Sequence, residues 1–194
     1  MIERRLDLFT GVGYDKGRGL VAQVLWFCVS RLVFQAWWCP ARLRPPVLRA
    51  FGASVGRGTN IRNGVRVYWP WKLSVGEHAW IGEGAWLLNL EPIDIGDHVC
   101  ISQDTVLCTG SHGRTSPTFE YDNAPISVGA GAWIALRAVV LRGVHVPAGA
   151  LAPAGAVISR GSDCLDVVPG QRPAPAETTN AGQPNQAHAS GAPR

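Results

Sequence analysis

The chain has 194 residues, 46% of them hydrophobic, and a formal net charge of +4 carried almost wholly by arginine, since only Lys16 and Lys72 are lysines. That length suits one domain with trimmings, and 23 Gly with 14 Pro is heavy in turn formers for an ordinary helical enzyme. No Lys/Arg block and no helix-turn-helix, finger or RNA-binding signature is present, which argues against a nucleic-acid partner.

The first twenty residues include Arg4, Arg5, Asp7, Asp15 and Lys16 and lack the apolar core of a signal peptide. An apolar stretch follows from Leu20 to Trp38, interrupted by Gln23, Ser30, Arg31 and Gln35. A mid-span arginine is expensive in lipid, so a membrane crossing is not expected. Two readings stay open: an amphipathic helix packed on the body, or a peripheral contact in which 20–38 lies on the inner membrane face with Trp26, Trp37 and Trp38 at the interface. Residues 1–50 are therefore a helical or irregular lead-in. The five cysteines, odd in number and without C-x-x-C spacing, read as reduced, buried thiols of a cytoplasmic protein.

From Val55 aliphatic residues recur every six positions: Val55, Ile61, Val67; Val75, Ile81, Leu87; Ile95, Ile101, Leu107; then Val128, Ile134, Val140, Val146. Four places after most of them sits a small or β-branched residue, such as Thr59, Ala79, Val99 or Ala132. A period of six is neither helical nor a long alternation. It suits a triangular coil of three short strands per turn, each placing one aliphatic chain into a narrow prism. Successive coils then pair as parallel strands and share one continuous core. The expected fold is an all-β solenoid over 51–160, a parallel β-helix of hexapeptide repeats. Beyond it, 161–194 is a C-terminal extension that dissolves into Pro, Ala, Gln and Asn and is expected to be largely disordered.

Between Leu107 and Val128 the hexad fails, and about fifteen residues leave the coil. Loops ejected from a rigid solenoid are where function concentrates. His112 sits at the root of this loop, and a neutral imidazole is well matched to taking a proton from a hydroxyl near pH 7. Among the five histidines, His78 and His98 are twenty apart and should stack on an outer corner, His145 should face outward, and His188 lies in the tail.

The strings Trp80-Ile81-Gly82-Glu83, Asn89-Leu90, Ile95-Gly96-Asp97-His98-Val99-Cys100-Ile101-Ser102-Gln103 and Cys108-Thr109-Gly110-Ser111-His112 resemble the colanic-acid-biosynthesis acetyltransferases. These are sugar O-acetyltransferases of the hexapeptide-repeat acyltransferase superfamily. The resemblance runs from roughly Phe51 to Ile158 and implies a left-handed β-helix, although parallel crossovers are normally right-handed. It also implies that acetyl-CoA is the co-substrate, that no metal takes part, and that His112 deprotonates a sugar hydroxyl for direct attack on the thioester. Asn89 and Ser111 would lie near the acceptor, a sugar or lipid-linked saccharide; for Asn89 a structural turn role is the alternative. Ala132-Trp133-Ile134-Ala135-Leu136-Arg137-Ala138 resembles a strand whose amides after the Trp contact the pantetheine arm or hold the thioester carbonyl. Trp133, Ala135, Ala154 and Arg160 would thus line the cofactor groove. The family pattern also departs here in two places: Gly113 stands where an acidic or amide residue usually follows the histidine, and Gly170-Gln171-Arg172-Pro173-Ala174 stands for Gly-Asn-Pro-Ala.

The resemblance further implies a homotrimer with its groove between subunits, for which outward Trp80, Trp86 and Trp133 offer apolar surface. Rival classes are a non-catalytic hexapeptide scaffold, an acetyltransferase acting on serine or another amine, and a zinc carbonic anhydrase. The last needs three converging histidines, two of them close in sequence, and only His112 sits in the relevant region.

Overall fold

The computed structural model describes residues 4–161 and the short strand 166–167; the expected disordered tail lies outside the described residues. Fifteen strands wind into five coils of three: β1 (Ser54–Val55), β2 (Asn60–Ile61), β3 (Arg66–Val67); β4 (Leu73–Val75), β5 (Trp80–Ile81), β6 (Trp86–Leu88); β7 (Ile93–Ile95), β8 (Cys100–Ile101), β9 (Val106–Cys108); β10 (Ile126–Val128), β11 (Trp133–Ile134), β12 (Val139–Leu141); and β13 (His145–Val146), β14 (Ala150–Ala152), β15 (Val157–Ile158). Every third strand joins the same sheet, so a first sheet runs β1-β4-β7-β10-β13, a second β2-β5-β8-β11-β14 and a third β3-β6-β9-β12-β15, all parallel. A final strand, β16 (Asp166–Val167), pairs antiparallel with β14. This is the expected three-sided β-helix, and all thirteen hexad aliphatics lie in its core.

The glycines that follow the first hexad aliphatic of each of the first four coils are a packing requirement. A Cβ on Gly56, Gly76, Gly96 or Gly129 would stand under 3.0 Å from backbone of the next coil. The same glycine amides carry the ladder between coils, Gly56 to the Val75 carbonyl, Gly76 to Ile95 and Gly96 to Val128, each at 2.8 Å. His78 and His98 stack at 5.3 Å on an outer corner, as their spacing predicts.

The first coil has no coil before it, so its carbonyls would be left without donors, and an unpaired sheet edge is both costly and sticky. The lead-in supplies side chains instead. Helix α1 (Leu20–Val29) runs into a π-helical turn, Ser30–Phe34, and α2 (Arg44–Ala50) follows. Arg49 donates to the carbonyls of Val55 and Gly56, and Trp26 Nε1 to those of Val67 and Tyr68. Arg44, almost fully buried, donates to Phe34 (3.0 Å), Ile61 (3.3 Å) and Ala36 (2.9 Å). Leu48 and Phe34 fill the end of the prism beside it.

Outside this contact α1 is open, its outer face left to solvent. Among the described residues no helix is long and apolar enough to cross a membrane. Two expectations need correction. Cys28 on α1 is exposed rather than buried, while Cys39 is buried and Cys100 and Cys108 are half-buried; all four are free. Trp86 is not an open outward face like Trp80 and Trp133, because the Arg66 guanidinium covers its ring at 4.3 Å.

Candidate active site

The three corners of the prism differ. The corner between the third and first sheets is where the register slips, through the 3-10 turn Pro70–Lys72, then 89–92, then the long excursion 109–125. That excursion is a hairpin. His112 bridges Tyr121 in antiparallel fashion, with Gly113 N–H donating to the Glu120 carbonyl and Asp122 N–H to that of Ser111, both at 2.8 Å. Arg142, one coil on, clamps the return arm by pairing with the Asp122 carboxylate and carbonyl.

His112 is half-buried among rings. Phe119 stacks on it at 4.2 Å and 7°, Tyr121 at 5.2 Å, and Phe9 approaches edge-on at 5.8 Å. Its Nδ1 lies 2.7 Å from the Phe119 carbonyl. A carbonyl only accepts, so Nδ1 carries a proton, and in the neutral ring Nε2 is the nitrogen with the lone pair. The imidazole is therefore oriented by backbone, which accounts for Gly113 beside it where a polar side chain was expected. Phe119 adopts φ 56°, a left-handed conformation worth about 1–2 kcal/mol of strain for a bulky residue. Strain of this kind persists where the surroundings over-determine it; here it aims the carbonyl at Nδ1.

The N-terminal segment completes the site, and no repeat or motif signals it. Arg5 N–H donates to the Pro117 carbonyl, and the amide and hydroxyl of Thr10 both donate to Glu120 Oε1 at 3.0 Å. Tyr14 then packs on Tyr121 and accepts from Trp69 Nε1. Burial pushes the Tyr14 hydroxyl up to about 12, against the smaller opposing pull of the Trp69 N–H. Two buried polar atoms on the return arm have no partner, Glu120 Oε2 and Asn123 Nδ2. The Asn123 side chain is held close to the histidine arm, since its Oδ1 accepts the Ser111 amide at 3.0 Å.

The remaining expected residues divide between edges. Ser111 stands beside His112, and Asn89 lies one coil earlier on the same corner. Asn89 has no exposed surface, however. Its Oδ1 accepts the amides of Tyr68 and Trp69, and its Nδ2 donates to the Trp69 carbonyl, so it clamps the corner rather than facing an acceptor. Asn89→Leu should strand two amides and cost about 2–4 kcal/mol, read as a lowered urea midpoint with an unchanged m-value.

Arg160 is exposed two coils beyond the loop on the same corner, its side chain laid over Gly143. Trp133, Ala135 and Ala154 belong to the second sheet and the corner that follows it, with the whole third sheet between them and His112. Trp133 is exposed and donates Nε1–H to Ser102 Oγ at 2.8 Å. The expected use of the Ala135 amide as an oxyanion donor is not met in the single chain, because that amide donates to the Ala152 carbonyl at 2.9 Å. Trp80, Gly82, Ser102 and Gln103 line an open cleft on this second face, beside Asn60 and Arg62. No group of three or more possible metal ligands is assembled among the described residues.

No protein-family model matches the chain. It is 39% identical over 137 residues to the "Putative colanic acid biosynthesis acetyltransferase WcaF" of Escherichia coli and equally to that of Shigella flexneri, covering 69% of this chain and 74% of theirs. Among solved structures, a maltose O-acetyltransferase from Clostridium difficile superposes with a TM-score of 0.66 at 21% identity, covering 79% of this chain and 84% of that one. A hexapeptide-repeat acetyltransferase from Vibrio cholerae, solved with acetyl coenzyme A, superposes at 0.68 and 21% identity, covering 79% and 85%. The fold agrees with both structures, and at 39% identity over most of each relative the chain belongs to the colanic acid biosynthesis acetyltransferases of the hexapeptide-repeat type.

Proposed function

We propose that the chain transfers an acetyl group from acetyl-CoA to a hydroxyl of a sugar or polysaccharide precursor, with His112 as general base and no acyl-enzyme. The observation that carries this reading is the 2.7 Å bond from His112 Nδ1 to the Phe119 carbonyl, which leaves Nε2 as the acceptor of a proton. Nε2 takes the proton of the acceptor hydroxyl as its oxygen attacks the thioester carbonyl carbon. The tetrahedral intermediate collapses with cleavage of the C–S bond, and the imidazolium returns the proton to the departing thiolate. While protonated, the ring is packed against aromatic faces that favour a cation. Asn123 Nδ2, buried without a partner next to the histidine arm, is the donor we assign to an acceptor oxygen. The aromatic rings of Phe9, Tyr14 and Tyr121 supply apolar faces against which a sugar ring packs. Acetyl transfer to saccharide acceptors followed by mass spectrometry, with His112→Ala beside the parent chain, tests the reading.

The co-substrate groove is proposed to lie between copies of the chain. His112 and Arg160 occupy one corner, while Trp133, Ala135 and Ala154 line another, so a closed ring of three chains would set one chain's histidine against the next chain's wall. Exposed Trp80 and Trp133 supply apolar surface for that contact. Light scattering should return three times the 20.8 kDa chain mass; a monomer would leave the groove without its second wall. Since acetyl-CoA is a metabolite of the cytoplasm, the chain is proposed to work there.

A further inference from the structure

We propose that α1 and the turns after it dock the chain onto an anionic phospholipid surface. The face of this helix turned from the solenoid is apolar: Leu20, Val21, Val24, Leu25, Phe27 and Leu32 are each between 53% and 83% exposed. The opposite face is the one that packs, through Trp26, Ser30 and Phe34. A helix needs one apolar face to hold a fold together, and this one spends a second face on solvent. Just beyond its end Trp37 and Trp38 are 86% and 56% exposed, two neighbouring indoles of the kind enriched at the membrane interface.

Charge identifies what covers this face. From Lys16 to Gly76 the sequence holds ten Lys and Arg and no Asp or Glu, although the whole chain carries only +4. Several of these cations hold the fold, and the Arg18 guanidinium lies over the Trp71 ring at 5.5 Å, but Arg31 and Arg42 are exposed, one on the turn that continues α1 and one beyond the indoles. Arg31 folds back over the Phe27 ring at 5.8 Å, so its charge sits at the rim of the apolar patch. Apolar residues at the centre with arginines around them match an interface of acyl chains and anionic headgroups. A second copy of the chain fits poorly, because two such faces would meet cation to cation.

Docking there would bring the site to the membrane. The Phe9 ring touches His112 and α1 begins at Leu20, so the ten residues between them span at most about 35 Å. An acceptor carried on a lipid would thus lie within reach of the base. The docking itself does not depend on the transfer chemistry.

The test is sedimentation of the full chain with vesicles of phosphatidylcholine alone or mixed with phosphatidylglycerol, with tryptophan emission read in parallel. Binding should require the anionic lipid, shift the emission to the blue, and weaken as salt is raised. Arg31→Ala and Arg42→Ala should each lower the partition constant about fivefold. Val21→Glu with Leu32→Glu, at exposed positions that leave the core untouched, should lower it by about tenfold or more. His112→Ala should bind as the parent does. Equal binding to neutral vesicles, or none to either, would overturn the proposal. So would a glutamate pair that changed the oligomeric mass while leaving vesicle binding intact.

Discussion

His112→Ala is expected to lower kcat/KM for acetyl transfer by a factor between about a hundred and ten thousand, the range for removing a positioned general base. The loss should fall mainly on kcat, with the KM for acetyl-CoA little changed, because in the proposed mechanism the residue would meet the acceptor hydroxyl rather than the nucleotide. Chain stability should fall only modestly, since the half-buried imidazole gives up one hydrogen bond to a carbonyl and its packing against three rings on a surface hairpin. Phe119→Ala offers a second reading of the same geometry. It removes a stacking ring but keeps the Cβ, and with it the strain, of the residue at φ 56°, and it leaves a carbonyl in the chain to meet Nδ1. A parent chain and a His112→Ala chain of equal activity would remove the base from the mechanism and favour a non-catalytic scaffold.

The second large effect is on folding. Arg44→Met is expected to cost about 3 kcal/mol or more, because it strands the carbonyls of Phe34, Ala36 and Ile61 in a buried cap. For a chain of this size that corresponds to a Tm lower by roughly 6–12 °C. The guanidinium sits there at a cost, as burial pushes its pKa below the ordinary arginine value. It remains charged, and its planar fork reaches three acceptors that no ammonium could bridge together. Arg44→Lys should therefore recover only part of the loss. A melting curve for Arg44→Met within about 2 °C of the parent would mean that water satisfies those carbonyls, and the cap would then be of little consequence.

The two predictions fall on opposite sides of what the residues disclose when read in order. The coil was legible from spacing. Thirteen aliphatic positions in four runs, six apart within each run, could be satisfied by no helix or simple strand, and each of them is buried. The long break was legible too, as was the histidine at its root, because a solenoid has nowhere to put fifteen surplus residues except outside. Arg44, Arg49 and Trp26 gave no such signal. Their role follows from a single missing neighbour, the coil that would have come before the first, and only a finished fold shows which carbonyls are left open.

The site divides in the same way. Position in the repeat singled out His112, but its orienting partner is a main-chain carbonyl, and carbonyls have no residue letter. The N-terminal segment that closes over it lies about a hundred residues away in sequence, joined by Thr10 to Glu120 and by Phe9 to His112. Asn89, open to either an acceptor contact or a turn role in the sequence, is a corner clamp, because its side chain is fully buried with Oδ1 taken up by two amides and Nδ2 turned to the Trp69 carbonyl. Trp133, Ala135 and Ala154 were grouped with Arg160 along the chain, yet the triangular cross-section sends them to a different edge. The sequence by itself determined the coil and where it breaks, since periodicity is a local property of the chain. Only the tertiary structure decided what meets at the break, because those contacts depend on which corner of a triangle each residue turns.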